Sequence, residues 1–350
     1  MTTSTDRRPG AGPTGWHDLD VRLAHSKMAP QLLPVLDGTP GVRLHVSETV
    51  TSDDADVLVG FQFPPGSLAG LERLRWLHLT GTGTDHLAAA GLPPGVLVTN
   101  SAAVPVTAVA EYAVSGLLML LKDLPELVGR QDLPWYRSGA VLLAGSTVAV
   151  AGTGRIGRAV VGLLAALGAH PVAVTRRGDV SVPGAVRTVA AARLAAEAPH
   201  LDHLVACLPG SAGTRGLIGH DVLAALPPHA AVVNVGRADT VDNRALHALL
   251  RAGALRGAFV DVHETEPLPA GDPVHAVPRL VVSPHRAFAF PGEPGEVART
   301  FLANLDDLRA GLAPRDLTGR DPRDPTGSDP TTPDPTTPDL TTRPSERNAT

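Results

Sequence analysis

Apolar residues recur along the chain in short runs, each followed by a polar turn and then by apolar positions at three- and four-residue spacing. Runs of that length predict buried strands and the spacing between them predicts helices, so their alternation predicts an α/β protein with parallel, doubly wound sheets. Two blocks follow this pattern. In the first the expected strands are Val21 to Ala24, Val42 to Val46, Val57 to Gly60, Trp76 to Leu79 and Val96 to Thr99. In the second they are Thr147 to Ala151, Pro171 to Thr175, His203 to Cys207, Ala231 to Val235, Ala258 to Val262 and Arg279 to Val282. A helical stretch beginning near Val106 and carrying AEYAVSGLLMLL lies between the blocks and is expected to link them. Its apolar run stops at Lys122 and Asp123, short of the roughly 18 residues that span a bilayer, so it reads as a buried helix.

Both ends break the pattern. Residues 1–15 show no periodicity and are expected to be flexible. From residue 318 the chain becomes DPRDPTGSDPTTPDPTTPDLTTRPSERNAT after a short lead-in, too poor in apolar side chains to offset the cost of ordering, and a disordered tail is expected over 318–350.

Composition narrows the function classes. With 350 residues and a hydrophobic fraction of 43%, the chain can form two cores at roughly 100–200 residues per domain. A net charge of -5 argues against nucleic acid or an anionic membrane as a partner. The lone cysteine, Cys207, forms no internal disulfide, and the first residues lack an apolar leader, so the cytoplasm is the expected location.

The second block opens with VAVAGTGRIGRAVVGLLAALGAH, a strand, then Gly152-Thr153-Gly154-Arg155-Ile156-Gly157, then an amphipathic helix. In that context G-x-G-x-x-G is a dinucleotide signature. Gly152 permits the tight turn, Gly154 lets a pyrophosphate approach the backbone, and Gly157 lets helix and strand pack closely. The next strand ends in Thr175-Arg176-Arg177, where an NAD-selective site would place a carboxylate for the ribose hydroxyl. Two guanidiniums suit a 2′-phosphate, which favours NADP over NAD as the cofactor.

Later strand ends carry further chemistry. Arg237 follows one strand, Asp261 ends the next, Glu266 comes shortly after, and VVSPH delivers His285. Each alone has an ordinary structural explanation. Together, at the carboxyl edge of one open sheet, they supply a cation, carboxylates and an imidazole beside a nicotinamide, the set needed to reduce a 2-oxo acid. No metal is called for.

These residues resemble a known family. Gly152 to Gly157, NVGRADTVDNRAL, DVHETEPLP and SPH, with TGTGTDHL (80–87) and AEYAV (110–114), are similar in order and spacing to the D-isomer-specific 2-hydroxyacid dehydrogenases over roughly residues 50–315. The resemblance implies a homodimer of two Rossmann-like domains: a substrate domain from 16–101 and 287–317, and a dinucleotide-binding domain from 102–286. It implies that Arg237, Glu266 and His285 are catalytic and that Thr107, Arg155, Ile156, Pro209, Val235 and Asp261 line the cofactor. The backbone of Gly81, Thr82 and Gly83 would meet the substrate carboxylate. Arg237 would hold a small 2-oxo acid and polarise its carbonyl, and His285 would give the proton, with Glu266 stabilising the imidazolium. The reaction would be that of a glyoxylate/hydroxypyruvate reductase.

The chain departs from the family pattern at Ala238, where glycine is usual, and at Arg286 and Phe288, where small residues are common. Glu266 stands where a formate dehydrogenase would have glutamine, and a resemblance to the longer phosphoglycerate dehydrogenases is incomplete. The alternative expectation is a dinucleotide-sensing binding protein or corepressor-like scaffold on the same fold. Turnover of a 2-oxo acid separates the two.

Overall fold

Two parallel sheets organise the chain in the computed structural model, which describes residues 15–47, 55–130 and 139–318. The expectations for residues 1–14 and 319–350 lie outside the described residues. Of the described residues, those through Thr80, His86–Asn100 and those from Phe301 onward form one unit, and Gly81–Asp85 with Ser101–Thr300 form the other. The smaller unit is therefore discontinuous in sequence, and residues 81–85 and 287–300 cluster with the larger one.

The smaller unit is built on β1 (Leu19–Ala24), β2 (Val42–Val46), β3 (Val57–Gly60), β4 (Trp76–Leu79) and β5 (Leu97–Asn100), in the order β2-β1-β3-β4-β5. All pairs are parallel. Every position of β3, β4 and β5 is buried: β3 is an unbroken apolar run, β4 and β5 bury His78, Thr99 and Asn100 among their apolar residues, and edge strand β2 keeps exposed polar residues. Leu58, Phe63, Leu68, Leu77 and Leu79 form a core on one face. Elsewhere the Trp76 ring stacks on Phe301 at 4.7 Å between centroids. Thr99 then ties the sheet interior together: its Oγ1 accepts the Trp76 indole N–H at 2.8 Å and lies 2.7 Å from His78 Nδ1.

His78 is fully buried, and that burial pushes its pKa down to about 3, so its ring is neutral at pH 7. Burial likewise lowers His203, in the larger unit, to about 4, and lowers His25 and His247. A histidine with a depressed folded pKa contributes stability that is complete above its unfolded pKa of about 6.5 and is lost as pH falls below it. For His78 and His203 the loss runs from about pH 6.5 to about 3 and about 4 respectively, at up to ~1.4 kcal/mol per pH unit and group. The urea midpoint is expected to fall between pH 7 and pH 5, above the range where most carboxylates titrate. An unchanged midpoint over that interval would contradict neutral burial of these rings.

The larger unit contains β6 (Thr147–Ala151), β7 (His170–Thr175), β8 (Arg187–Ala190), β9 (His203–Ala206), β10 (Ala231–Asn234), β11 (Gly257–Val260) and β12 (Leu280–Val282). Their order is β12-β11-β10-β9-β6-β7-β8, parallel throughout. One face is covered by a core including Leu194, Leu223, Leu246 and Leu250, and the other by Val109, Leu117, Val160 and Leu164. Helices on both faces make the unit doubly wound. The strand order reverses between β6 and β9, which opens a crevice at the carboxyl ends of those strands.

Two differences from the sequence reading have physical causes. β8 was not expected: it is a four-residue edge strand in which only Val189 is buried, so it carries no apolar run. Val235 and Val262 remain buried but lie just past the strand ends at Asn234 and Val260, from which the chain leads to the residues described below. Among the described residues, no helix is long and apolar enough to cross a membrane, and no group of His, Cys, Asp or Glu side chains is placed to hold a metal ion.

Candidate active site

The glycine turn leaves β6 at the reversal point. Gly152 has φ +92°, a left-handed conformation that favours glycine, and a Cβ there would stand 2.8 Å from the Cys207 carbonyl oxygen at the end of β9. A Cβ on Gly157 would overlap the Gly152 carbonyl oxygen, so glycine is what allows the helix Arg155–Ala166 to start so close to its strand. Gly154 caps that helix with nothing within 4 Å of a Cβ position. The open space therefore lies over the N–H groups of a helix start, as a pyrophosphate requires. Arg155 is exposed on this turn, and Ile156 packs into the core beneath it.

At the end of β7, Thr175 Oγ1 accepts the Gly178 N–H at 2.9 Å and closes the turn that exposes Arg176 and Arg177. Arg176 also lines a cleft of about 590 Å³ with Ala191, Ala195, Leu217 and His220. None of Arg237, Glu266 and His285 lines that cleft. Pro209, after β9, and Thr107, on the helix Val106–Leu121, are exposed, whereas Val235 is buried.

Neighbouring strands β10, β11 and β12 deliver Arg237, Glu266 and His285 from their carboxyl ends. Glu266 and His285 are in contact: Nδ1 lies 2.7 Å from Glu266 Oε2. A carboxylate only accepts, so Nδ1 carries the hydrogen and Nε2 is left as the position that gains or loses a proton. Glu266 Oε1 accepts the His263 N–H at 2.8 Å, and His263 Nε2 donates to the Ser283 carbonyl at 2.8 Å. The carboxylate and the strand end that carries the imidazole are thus braced together. Arg237 is held differently. Its Nε donates to Asp85 Oδ2 at 3.0 Å and its Nη1 to Gly236 O at 3.0 Å.

His285 sits at φ +49°, a left-handed conformation costing a non-glycine residue about 1–3 kcal/mol. Asp261 offsets that cost. It is 1% exposed, its Oδ1 accepts the Arg286 N–H at 3.0 Å and its Oδ2 the Ala287 N–H at 2.9 Å, and Ser283 Oγ also donates to it. With its hydroxyl hydrogen spent on Asp261, Ser283 accepts from Tyr112 OH at 2.7 Å. Asp261, expected along the cofactor, has its carboxylate committed to this turn. Phe288 packs edge-on against the His285 ring, 6.0 Å between centroids, and Arg286 extends outward.

Several residues at the site escaped the sequence reading: Asp85, Tyr112, Asn234, His263 and Ser283. Asn234 had a usable signal, since an Asn two positions before a Gly marks an Asx turn. Its Oδ1 accepts the Gly236 N–H and its Nδ2 donates to Arg237 O, which fixes the backbone beneath Arg237. The side chains of the others depend on partners at least 20 residues away in sequence.

Comparison with known proteins identifies the family. Residues 115–287 match the model of the NAD binding domain of D-isomer specific 2-hydroxyacid dehydrogenases. An uncharacterized Streptomyces coelicolor protein is 34% identical over 266 residues, covering 74% of this chain and 92% of that protein. A Mus musculus glyoxylate reductase/hydroxypyruvate reductase is 31% identical over 222 residues, covering 61% and 67%. The chain spans about half the length of the curated D-3-phosphoglycerate dehydrogenases it also matches. Among solved structures, a D-isomer specific 2-hydroxyacid dehydrogenase from Xanthobacter autotrophicus Py2, in complex with NADPH and MES, superposes with a TM-score of 0.74 at 26% identity. That match covers 86% of this chain and 98% of the other. The chain belongs to the D-isomer specific 2-hydroxyacid dehydrogenase family.

Proposed function

We propose that the protein is an NAD(P)-dependent oxidoreductase that interconverts a small 2-oxo acid and its D-2-hydroxy acid. The observation that carries this reading is the Glu266–His285 pair at 2.7 Å, on strand ends of the sheet whose first strand bears the glycine turn. Gly154, with open space above it at the start of a helix, fits a dinucleotide pyrophosphate. When bound, the reduced nicotinamide supplies the hydride that adds to the substrate carbonyl. Arg237 binds the substrate carboxylate together with the backbone of Gly81, Thr82 and Gly83, and orients the carbonyl. His285 donates its Nε2 proton to the carbonyl oxygen as that oxygen gains charge. Glu266 holds Nδ1–H and balances the imidazolium beforehand. In the oxidative direction Nε2 takes the proton back.

Phe288 beside the imidazole supports small substrates of the glyoxylate or hydroxypyruvate kind. Exposed Leu124, Leu127, Val128 and Leu142 support a homodimer. A panel of 2-oxo acids with NADPH and NADH, followed at the nicotinamide absorbance, tests the activity. Absence of turnover with every acid would favour the dinucleotide-sensing alternative.

The exposed Arg176 supports a preference for NADP. Arg176→Ala is expected to weaken NADPH roughly 10- to 100-fold, the equivalent of a charge-assisted contact of about 1.5–3 kcal/mol, and to leave NADH nearly unchanged. Equal losses for both cofactors would show that Arg176 does not read the phosphate.

A further inference from the structure

Asp85 has no part in the chemistry set out above, yet among the described residues it makes the side-chain ion pair of Arg237, 3.0 Å from Nε. A guanidinium offers a carboxylate two edges, the Nε/Nη2 side and the Nη1/Nη2 end. Asp85 takes the side edge through Nε. Nη1 is steadied by Gly236 O, and Nη2 lies against Gly83, where a Cβ would overlap it. A second carboxylate can then approach only the Nη1/Nη2 end. Asp85 also follows Gly83 by two residues on the segment Gly81–Asp85, so one short stretch carries both the anchor of the guanidinium and the backbone beside it. The pair is partly solvated, with side chains 30% and 48% exposed, so its effect on stability is small and its effect on orientation is the relevant one.

We propose that Asp85 is a positioning residue that pins Arg237 through Nε and so presents the Nη1/Nη2 end of the fork to the substrate carboxylate beside Gly81–Gly83. This rests on the reading of Arg237 as the substrate clamp. Pinning removes side-chain freedom before the substrate arrives, which lowers the ordering cost of binding. It also closes the side-edge mode, in which the carbonyl would be turned away from its reacting position.

The test is a double-mutant cycle on the full chain, with NADPH and the 2-oxo acid of highest turnover. Asp85→Ala is expected to lower kcat/KM about 10- to 100-fold, through both a higher KM for the 2-oxo acid and a lower kcat, with the KM for NADPH unchanged. Asp85→Asn, which keeps an acceptor for Nε–H, is expected to recover most of that loss. In an Arg237→Ala background, removing Asp85 is expected to cost less than about twofold, because nothing is left to position. If Arg237→Ala alone leaves kcat/KM intact, the clamp reading fails and the proposal with it. If Arg237→Ala is severe while Asp85→Ala is mild, or if the two losses multiply, the clamp stands and Asp85 does not position it.

Discussion

Replacement of His285 is expected to reduce 2-oxo acid turnover about 100- to 10,000-fold while leaving the dissociation constant for NADPH nearly unchanged, as for a positioned general acid. The choice of replacement matters. At φ +49°, alanine adds backbone strain of its own, whereas asparagine tolerates the left-handed conformation, so His285→Asn isolates the loss of the imidazole. Glu266→Gln leaves one acceptor for the two N–H groups, His285 Nδ1–H and His263 N–H, that the carboxylate holds, and removes the charge that balances the imidazolium, and it is expected to cost about 10- to 100-fold in kcat. The check is single-turnover kinetics beside an NADPH titration. A loss below tenfold for His285→Asn would remove His285 from the mechanism.

The glycine turn gives the second large effect. Gly157→Ala would drive a methyl group into the Gly152 carbonyl, backbone against backbone, so the helix start must shift. An overpacking cost of about 1–3 kcal/mol is expected, together with a loss of NADPH affinity of about 100-fold or more. Gly154→Ala separates folding from binding, because a Cβ at Gly154 meets no protein atom within 4 Å but enters the space assigned to the pyrophosphate. Its melting temperature is expected to match the parent while its NADPH affinity falls at least about tenfold. Unchanged affinity in Gly154→Ala would rule out this turn as the phosphate site. Unchanged melting of Gly157→Ala would mean that the helix start can yield.

Legibility from sequence followed burial. Strands with both faces covered, such as β6, β9 and β10, were read almost to their ends because each is an unbroken apolar run between turns. β8 was invisible because an edge strand needs little apolar character. Arg237, Glu266 and His285 could be proposed because they follow recognisable strands. Their supports could not: Asp85 stands 152 residues from Arg237, and Tyr112 stands 171 from Ser283.

By itself the sequence determined the parallel α/β class, the glycine turn and the family, since each is written in local spacing or in contiguous motifs. Only the tertiary structure decided that Asp85 meets Arg237 and that Asp261 holds the left-handed turn at His285. Local periodicity records which side of a strand or helix is buried. Which polar group meets which is set by the order of strands in the sheet and by the loops beyond their ends, and no local pattern carries that order.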